Sequence, residues 1–152
     1  MASKVAQIVD AVVTQLNTLS LNQSYTATKT YNPEFDVKNA STLQVQVSPI
    51  SYETQKENRI QTRDDIVISI GLQKKISIDT TTGSFTQSEV EAMMETVEDM
   101  LNGIRGFDID APIRAHQTSA IAQPLFYPDH LYDHAIYTGI ILLSYYTSGT
   151  NN

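Results

Sequence analysis

The sequence contains no cysteine. Disulfide frameworks, thiolate nucleophiles and thiolate metal sites are therefore excluded, and the fold need not meet an oxidising compartment. Only six glycines occur, scattered, so no glycine-rich loop could cradle a phosphate, and no serine sits in a G-x-S-x-G elbow. Long hydrophobic runs are also missing. The longest, Ile-Ile-Leu-Leu at 140–143, is far too short to cross a bilayer. The stretch Met1-Ala2-Ser3-Lys4 passes directly into an amphipathic segment without the apolar block of a signal peptide, so cytoplasmic synthesis without membrane contact is expected. Basic residues are few as well, ten against seventeen acidic, a formal charge of −7. Such a surface repels phosphate backbones and keeps the protein soluble.

What is present suits one folded domain. The 152 residues are 41% hydrophobic and include eight tyrosines and four phenylalanines, enough for a sizeable core. Val5, Ile8, Val9, Val12, Leu16 and Leu19 recur at helical spacing behind a Ser3 N-cap, which predicts a helix over 4–19. A second helix is expected over 87–105. It opens on a capping-box pattern, Thr86-Gln87-Ser88-Glu89, buries Val90, Met93, Met94, Val97, Leu101 and Ile104, and ends at Gly106.

Between and after the helices the period changes to two. Strands are expected at 25–31, at Leu43, Val45 and Val47 with a stop at Pro49, and at Ile66, Ile68, Ile70 and Leu72. A weaker strand follows at 113–125. The last, 135–146, is apolar on both faces, with Ile136, Ile140 and Leu142 on one and Tyr137, Ile141, Leu143 and Tyr145 on the other. A strand of that kind is central, or has one face covered by another chain. Residues 51–63 carry Glu53, Lys56, Glu57, Arg59 and Arg63 with little apolar content, and suggest a long polar assembly loop or solvated hairpin; residues 147–152 suggest a flexible tail. The order helix, three strands, helix, two strands points to an α+β fold, a mainly antiparallel β-sheet with two amphipathic helices packed on one face.

Candidate chemistry is sparse. His130 and His134 lie four apart beside Asp133, a spacing that metals use, but Pro128 suggests a short surface turn in which Leu131 plugs the core edge. Asp64 and Asp65 are adjacent on a strand and point to opposite faces, so they cannot converge on one substrate atom. Asp108 and Asp110 are a second possible pair of carboxylates. Lys74 and Lys75, with Arg59 and Arg63 upstream, form the only basic concentration, too small for a nucleic-acid patch and better suited to a neighbouring subunit. No catalytic residue, cofactor or metal is assigned.

The pattern Tyr31-x-Pro33-x-Phe35-Asp36-x-Lys38 resembles a family of small proteins encoded among the head-to-tail genes of tailed bacteriophages. The similarity continues through the Leu43/Val45/Val47 strand, Asp65-Ile66-Val67-Ile68-Ser69-Ile70-Gly71-Leu72-Gln73-Lys74-Lys75, Pro124-Leu125-Phe126-x-Pro128-x-His130-Leu131 and the apolar last strand. The order of elements looks like that of tail terminator, or tail completion, proteins. The resemblance implies a structural virion protein in the neck of the tail, a homo-oligomeric ring, commonly a hexamer, that caps the tail tube. Its partners would be the tail tube protein and the head-tail connector or neck proteins, with genomic DNA passing through the channel without tight binding. A ring needs heterologous interfaces that close by rotation. Candidate subunit-interface residues are Tyr31, Phe35, Lys56, Arg59, Arg63, Lys74, Lys75, Tyr137 and Tyr145. Another neck or tail-tube protein, a small monomeric or dimeric protein-binding module, and a metal-dependent enzyme using His130 and His134 are the alternatives.

Overall fold

The computed structural model describes residues 3–31, 42–56, 61–78, 81, 83, 85–111 and 113–150, with the backbone alone at 61, 133, 134 and 148–150. Phe35 and Arg59, both expected at an interface, lie outside the described residues. The elements run α1 (Lys4–Leu16), β1 (Ala27–Lys29), β2 (Gln44–Lys56), β3 (Gln61–Lys75), α2 (Gln87–Ile104), β4 (His116–Ala122), α3 (Pro128–His134) and β5 (Ile136–Thr150). One five-stranded sheet has the order β1-β2-β3-β5-β4. The fold is α+β, as expected, with every strand pair antiparallel except β1–β2, which is parallel.

The period-two pattern of β3 and β5 explains the core. In register, Ile66, Ile68, Ile70 and Leu72 stand opposite Tyr145, Leu143, Ile141 and Gly139, so one face carries a continuous apolar ladder. Val45 and Val47 of β2 extend it. The apolar stripes of α1 (Ile8, Val9, Val12, Leu16) and α2 (Val90, Met93, Val97, Met100, Ile104) close over that face in one cluster. Ser3 caps α1 as expected, its Oγ accepting from the Ala6 amide at 3.2 Å. The capping box of α2 does not form. Ser77 competes for both members: Thr86 Oγ1 donates to the Ser77 carbonyl, and the Glu89 carboxylate accepts from the Ser77 amide at 2.8 Å.

Four expectations are corrected. Pro49 does not end β2. The strand passes it with a register shift between Pro49 and Ser51 and runs on to Lys56. β1 pairs only as far as Val47, so the missing Pro49 N–H leaves no ladder bond unmade. Of the two readings of residues 51–63 the long loop is therefore wrong and the solvated hairpin holds: 51–56 and 61–63 are paired strand, Thr54 opposite Asp64 and Lys56 opposite Thr62. Thr147 to Thr150 are not a flexible tail either, since β5 continues through them opposite Asp64 to Gln61. The Pro128 turn is the helix α3: proline at N1 is preset for a helix, Asp129 lies in the first turn, and Ala135 ends it in the left-handed region at φ 53°. Leu131 on α3 is buried at the edge of the core.

Candidate functional site: the open sheet face and its arm

Among the described residues no helix crosses the middle of the second face of the sheet; at its lower end α3 reaches it through His130, and Ser48, Ser69, Gln73 and Thr138 on it are only 5–9% exposed. Its rows can be followed strand to strand: Ile121, Leu142, Ser69 and Ser48 form one, and Ile140, Gly71, Gln46 and Thr28 the next. All are uncharged, on a chain whose net charge is −7. Ile50 is 59% exposed, Tyr31 66% and Ile121 42%. Tyr31, Ile50, Pro49, Ile140 and Leu142 wall a groove of about 380 Å³. Its polar floor is internally paired, Ser48 Oγ lying 3.0 Å from Ser69 Oγ. At the lower end Gln73 Nε2 donates to Thr138 Oγ1 at 3.0 Å, and Thr138 in turn meets His130 Nδ1 at 3.0 Å. The expected double apolarity of β5 is thus present, and its second side is this face.

Beyond Pro49 and Tyr146 the sheet narrows to three strands. β1 has ended, β4 reaches only as far as His116 opposite Tyr146, and residues 50–56, 61–65 and 146–150 continue as an arm. Residues 51–56 are exposed throughout. On the open side of the arm Arg63 Nε pairs with Asp65 at 2.9 Å, and its guanidinium lies 4.5 Å over the Tyr146 ring. His116 leans on the other side of Tyr146 with ring centroids 5.3 Å apart.

On the helix side, the arm is rooted on Asp64, which is 3% exposed. Lys4 Nζ donates to its carboxylate at 2.8 Å and Thr54 Oγ1 at 3.0 Å, while Thr147 Oγ1 stands at 3.5 Å. Burial alone would raise the Asp64 carboxyl. The hydrogen bonds from Lys4, Thr54 and Tyr52, with the Lys4 charge, outweigh it and hold the group below its ordinary 3.8. Lys4 is held above 10.5, chiefly by its hydrogen bond to Asp64 and against the pull of burial. The sign follows. A depressed carboxylate stabilises the fold above its unfolded value, and that contribution is lost as pH falls through the folded value. Urea unfolding from pH 6 down to about 2 is expected to lose less stability in Asp64→Asn than in the native chain, because the variant has no such proton to take up. An equally steep acid limb in the variant would refute this.

The sequence-predicted candidates divide. Tyr31 and Lys56 are exposed, on the groove and on the arm. Arg63 is on the arm but engaged by Asp65 and Tyr146. Lys74 donates to Gln23 Oε1 at 2.9 Å on the helix side, and Lys75 is exposed. Arg63 and Lys75 lie at opposite ends of β3, about 40 Å apart at ~3.3 Å per residue, so among the described residues no basic concentration forms. Tyr137 and Tyr145 are not surface residues: their register places them on the helix-covered face, 0% and 1% exposed. Their hydroxyls donate to the carbonyls of Leu125 at 2.7 Å and Phe107 at 2.9 Å. Burial raises both phenols, Tyr145 to about 12 despite a hydrogen bond from Gln117, so neither ionises near neutrality.

Except for Asp108 beside His116, the carboxylates and histidines among the described residues stand apart from one another. Asp64 and Asp65 sit on opposite faces, and Asp108 is taken up by the Gln117 amide at 2.9 Å and His116 at 3.6 Å. His130 is stacked on Tyr127 at 5.0 Å besides its contact with Thr138. Among the described residues no three His, Asp or Glu gather where they could hold a metal ion, and no helix is long and apolar enough to cross a membrane. The groove was missed in the sequence, although the alternation of β5 carried a signal for it, and the arm was legible only as the solvated-hairpin reading of residues 51–63. The chain matches no protein-family model, and no curated protein is detectably similar to it.

Proposed function

We propose that this protein is a structural subunit of a phage virion, a tail terminator that closes into a ring, six copies by the family's habit, on the last ring of the tail tube and offers its far side to the head connector. The observation that supports the reading best is the second sheet face: its two central rows carry no charge on a strongly acidic chain, Ile50, Tyr31 and Ile121 stand exposed on it, and it is continuous with a three-stranded arm. A solvated antiparallel face is ordinarily polar and charged along its outward positions. Here the central rows are uncharged and the charges stand at the two ends of β3, Lys75 at one and the arm at the other, where Glu53, Asp65 and Arg63 are suited to setting register between subunits. Apolar contact from the face and charged contact from the arm are the two components of a specific interface. The acidic outer side of α2, with Glu91, Glu95, Glu98 and Asp99, is suited to DNA that passes without adhering.

The test is assembly of the purified chain, followed by native mass and negative-stain imaging alone and with tail tubes. Closed rings and capped tube ends are expected. A variant joining Tyr52 to Ile66 through Asn-Gly removes the arm and leaves a two-residue hairpin turn. It is expected to keep a cooperative unfolding transition while ring formation weakens at least about tenfold, the equivalent of ~1.4 kcal/mol. A native chain that stays monomeric and leaves tube ends bare would overturn the reading. An armless variant that caps as well as the native chain would remove the arm from it.

A further inference from the structure

Of the groups buried at the edge of the core, Asp64 has an unusual set of partners. Its carboxylate receives one donor from each of three separate elements: Lys4 from the first turn of α1, Thr54 from β2 and Thr147 from β5, with the Tyr52 hydroxyl also facing it. Asp64 itself belongs to β3. All three strands of the arm and the start of α1 therefore meet on two oxygen atoms. The neighbouring charges do not share in this. Asp65 and Arg63 pair with each other on the opposite face, and Lys29 is held by Asp10 at 2.9 Å further along α1. Among the described residues, Lys4 is thus the one cation on Asp64.

We infer that Asp64 is a latch between the arm and α1, so that displacing the arm frees the first turn of the helix and freeing that turn loosens the arm. A carboxylate 3% exposed has little water to fall back on. If Lys4 leaves, the remaining hydroxyl donors must carry a buried charge alone, a costly state that is relieved only when the strands part and admit water. If the arm bends away at Thr54 and Thr147, Asp64 moves with β3 and Lys4 loses its partner. The first turn of α1 then keeps only the Ser3 cap, whose side chain accepts from Ala6 and whose carbonyl accepts from Gln7 at 3.0 Å, and the packing of Val5. Whatever docks on the arm is felt at α1, and the inference stands whether or not the docked partner is another subunit.

Hydrogen exchange of individual amides on the full chain reads this directly. In Lys4→Gln the amides of Gln7 and Ile8 and those of residues 52–55 and 62–65 are expected to exchange faster together, by about tenfold, because the charged hydrogen bond that ties both regions is gone. The amides of α2 and β4 should stay within about twofold. Asp64→Asn should give the same two-part pattern, and Lys4→Arg should restore the native one. Acceleration confined to α1, acceleration spread evenly over the whole chain, or no acceleration would each sink the latch.

Discussion

Gly139→Val is expected to cost at least about 3 kcal/mol of folding free energy and to leave little folded protein at physiological temperature. The residue lies inside β5, opposite Leu72, where a β-branched side chain would ordinarily be favoured. A Cβ at this position would stand 2.6 Å from the Leu125 carbonyl oxygen and 3.3 Å from the Tyr137 ring. The first of these is backbone, and it is pinned. The chain from β4 folds over β5 here through Gln123 N–H to the Ile140 carbonyl at 2.9 Å, Ile140 N–H to the Pro124 carbonyl at 3.1 Å and Tyr127 N–H to the Thr138 carbonyl at 2.9 Å. The Leu125 oxygen also accepts from Tyr137. Any side chain must break this set or push β5 out of register. Gly139→Ala should already lose about 2 kcal/mol, with an unchanged denaturant slope. Near-native stability in the alanine variant would mean that the crossing segment gives way at low cost.

That glycine also shows where the sequence is legible and where it is not. Helical spacing predicted most of the buried stripes of α1 and α2, because one periodicity decides which side chains share a face and an apolar face has to be covered; in α2 Met94 and Leu101 are only partly buried, and Thr96 and Met100 are buried instead. The same logic found both sides of β5. It could not say which side the helices take, and Tyr137 and Tyr145 were misplaced for that reason. Each hydroxyl is satisfied by a carbonyl 12 and 38 residues away, so their burial depends on partners that no local pattern marks. Gly139 is of the same kind, since its need is set by a segment packed from outside the strand.

The arm was legible only as one of two readings, loop or hairpin, for another reason. Residues 51–56 and 61–65 contain few apolar side chains, and the strand signal is mainly one of half-buried alternation. What holds them is the backbone ladder with β5 and one buried carboxylate, neither of which leaves a period in the sequence. Pro49 added a false stop, harmless in the fold because β1 is so short. α3 was similarly hidden, since Pro128 opens a helix as readily as it opens a turn.

Two neighbours on β5 allow the face assignment to be tested in a single experiment. Leu143 is 0% exposed and packs between Ile68 and Ala120 on the helix side. Leu142 is only partly buried and lines the groove on the open side. Leu143→Ala removes core volume in a place where the surrounding ladder cannot collapse, and should lose about 3 kcal/mol by urea unfolding. Leu142→Ser removes as much apolar surface from a face that water already reaches, and should change stability by less than about 1 kcal/mol. Assembly should reverse that order. If the open face is the subunit contact, Leu142→Ser places a hydroxyl at its apolar centre and is expected to weaken ring formation at least about a hundredfold, on the scale of an interface hot spot. Leu143→Ala, studied below its melting temperature, should still form rings. Sedimentation of the two variants across a concentration series measures both. Rings from Leu142→Ser as stable as those of the native chain would show that the subunits meet elsewhere, and equal losses of stability in the two variants would show that the open face is covered within the single chain.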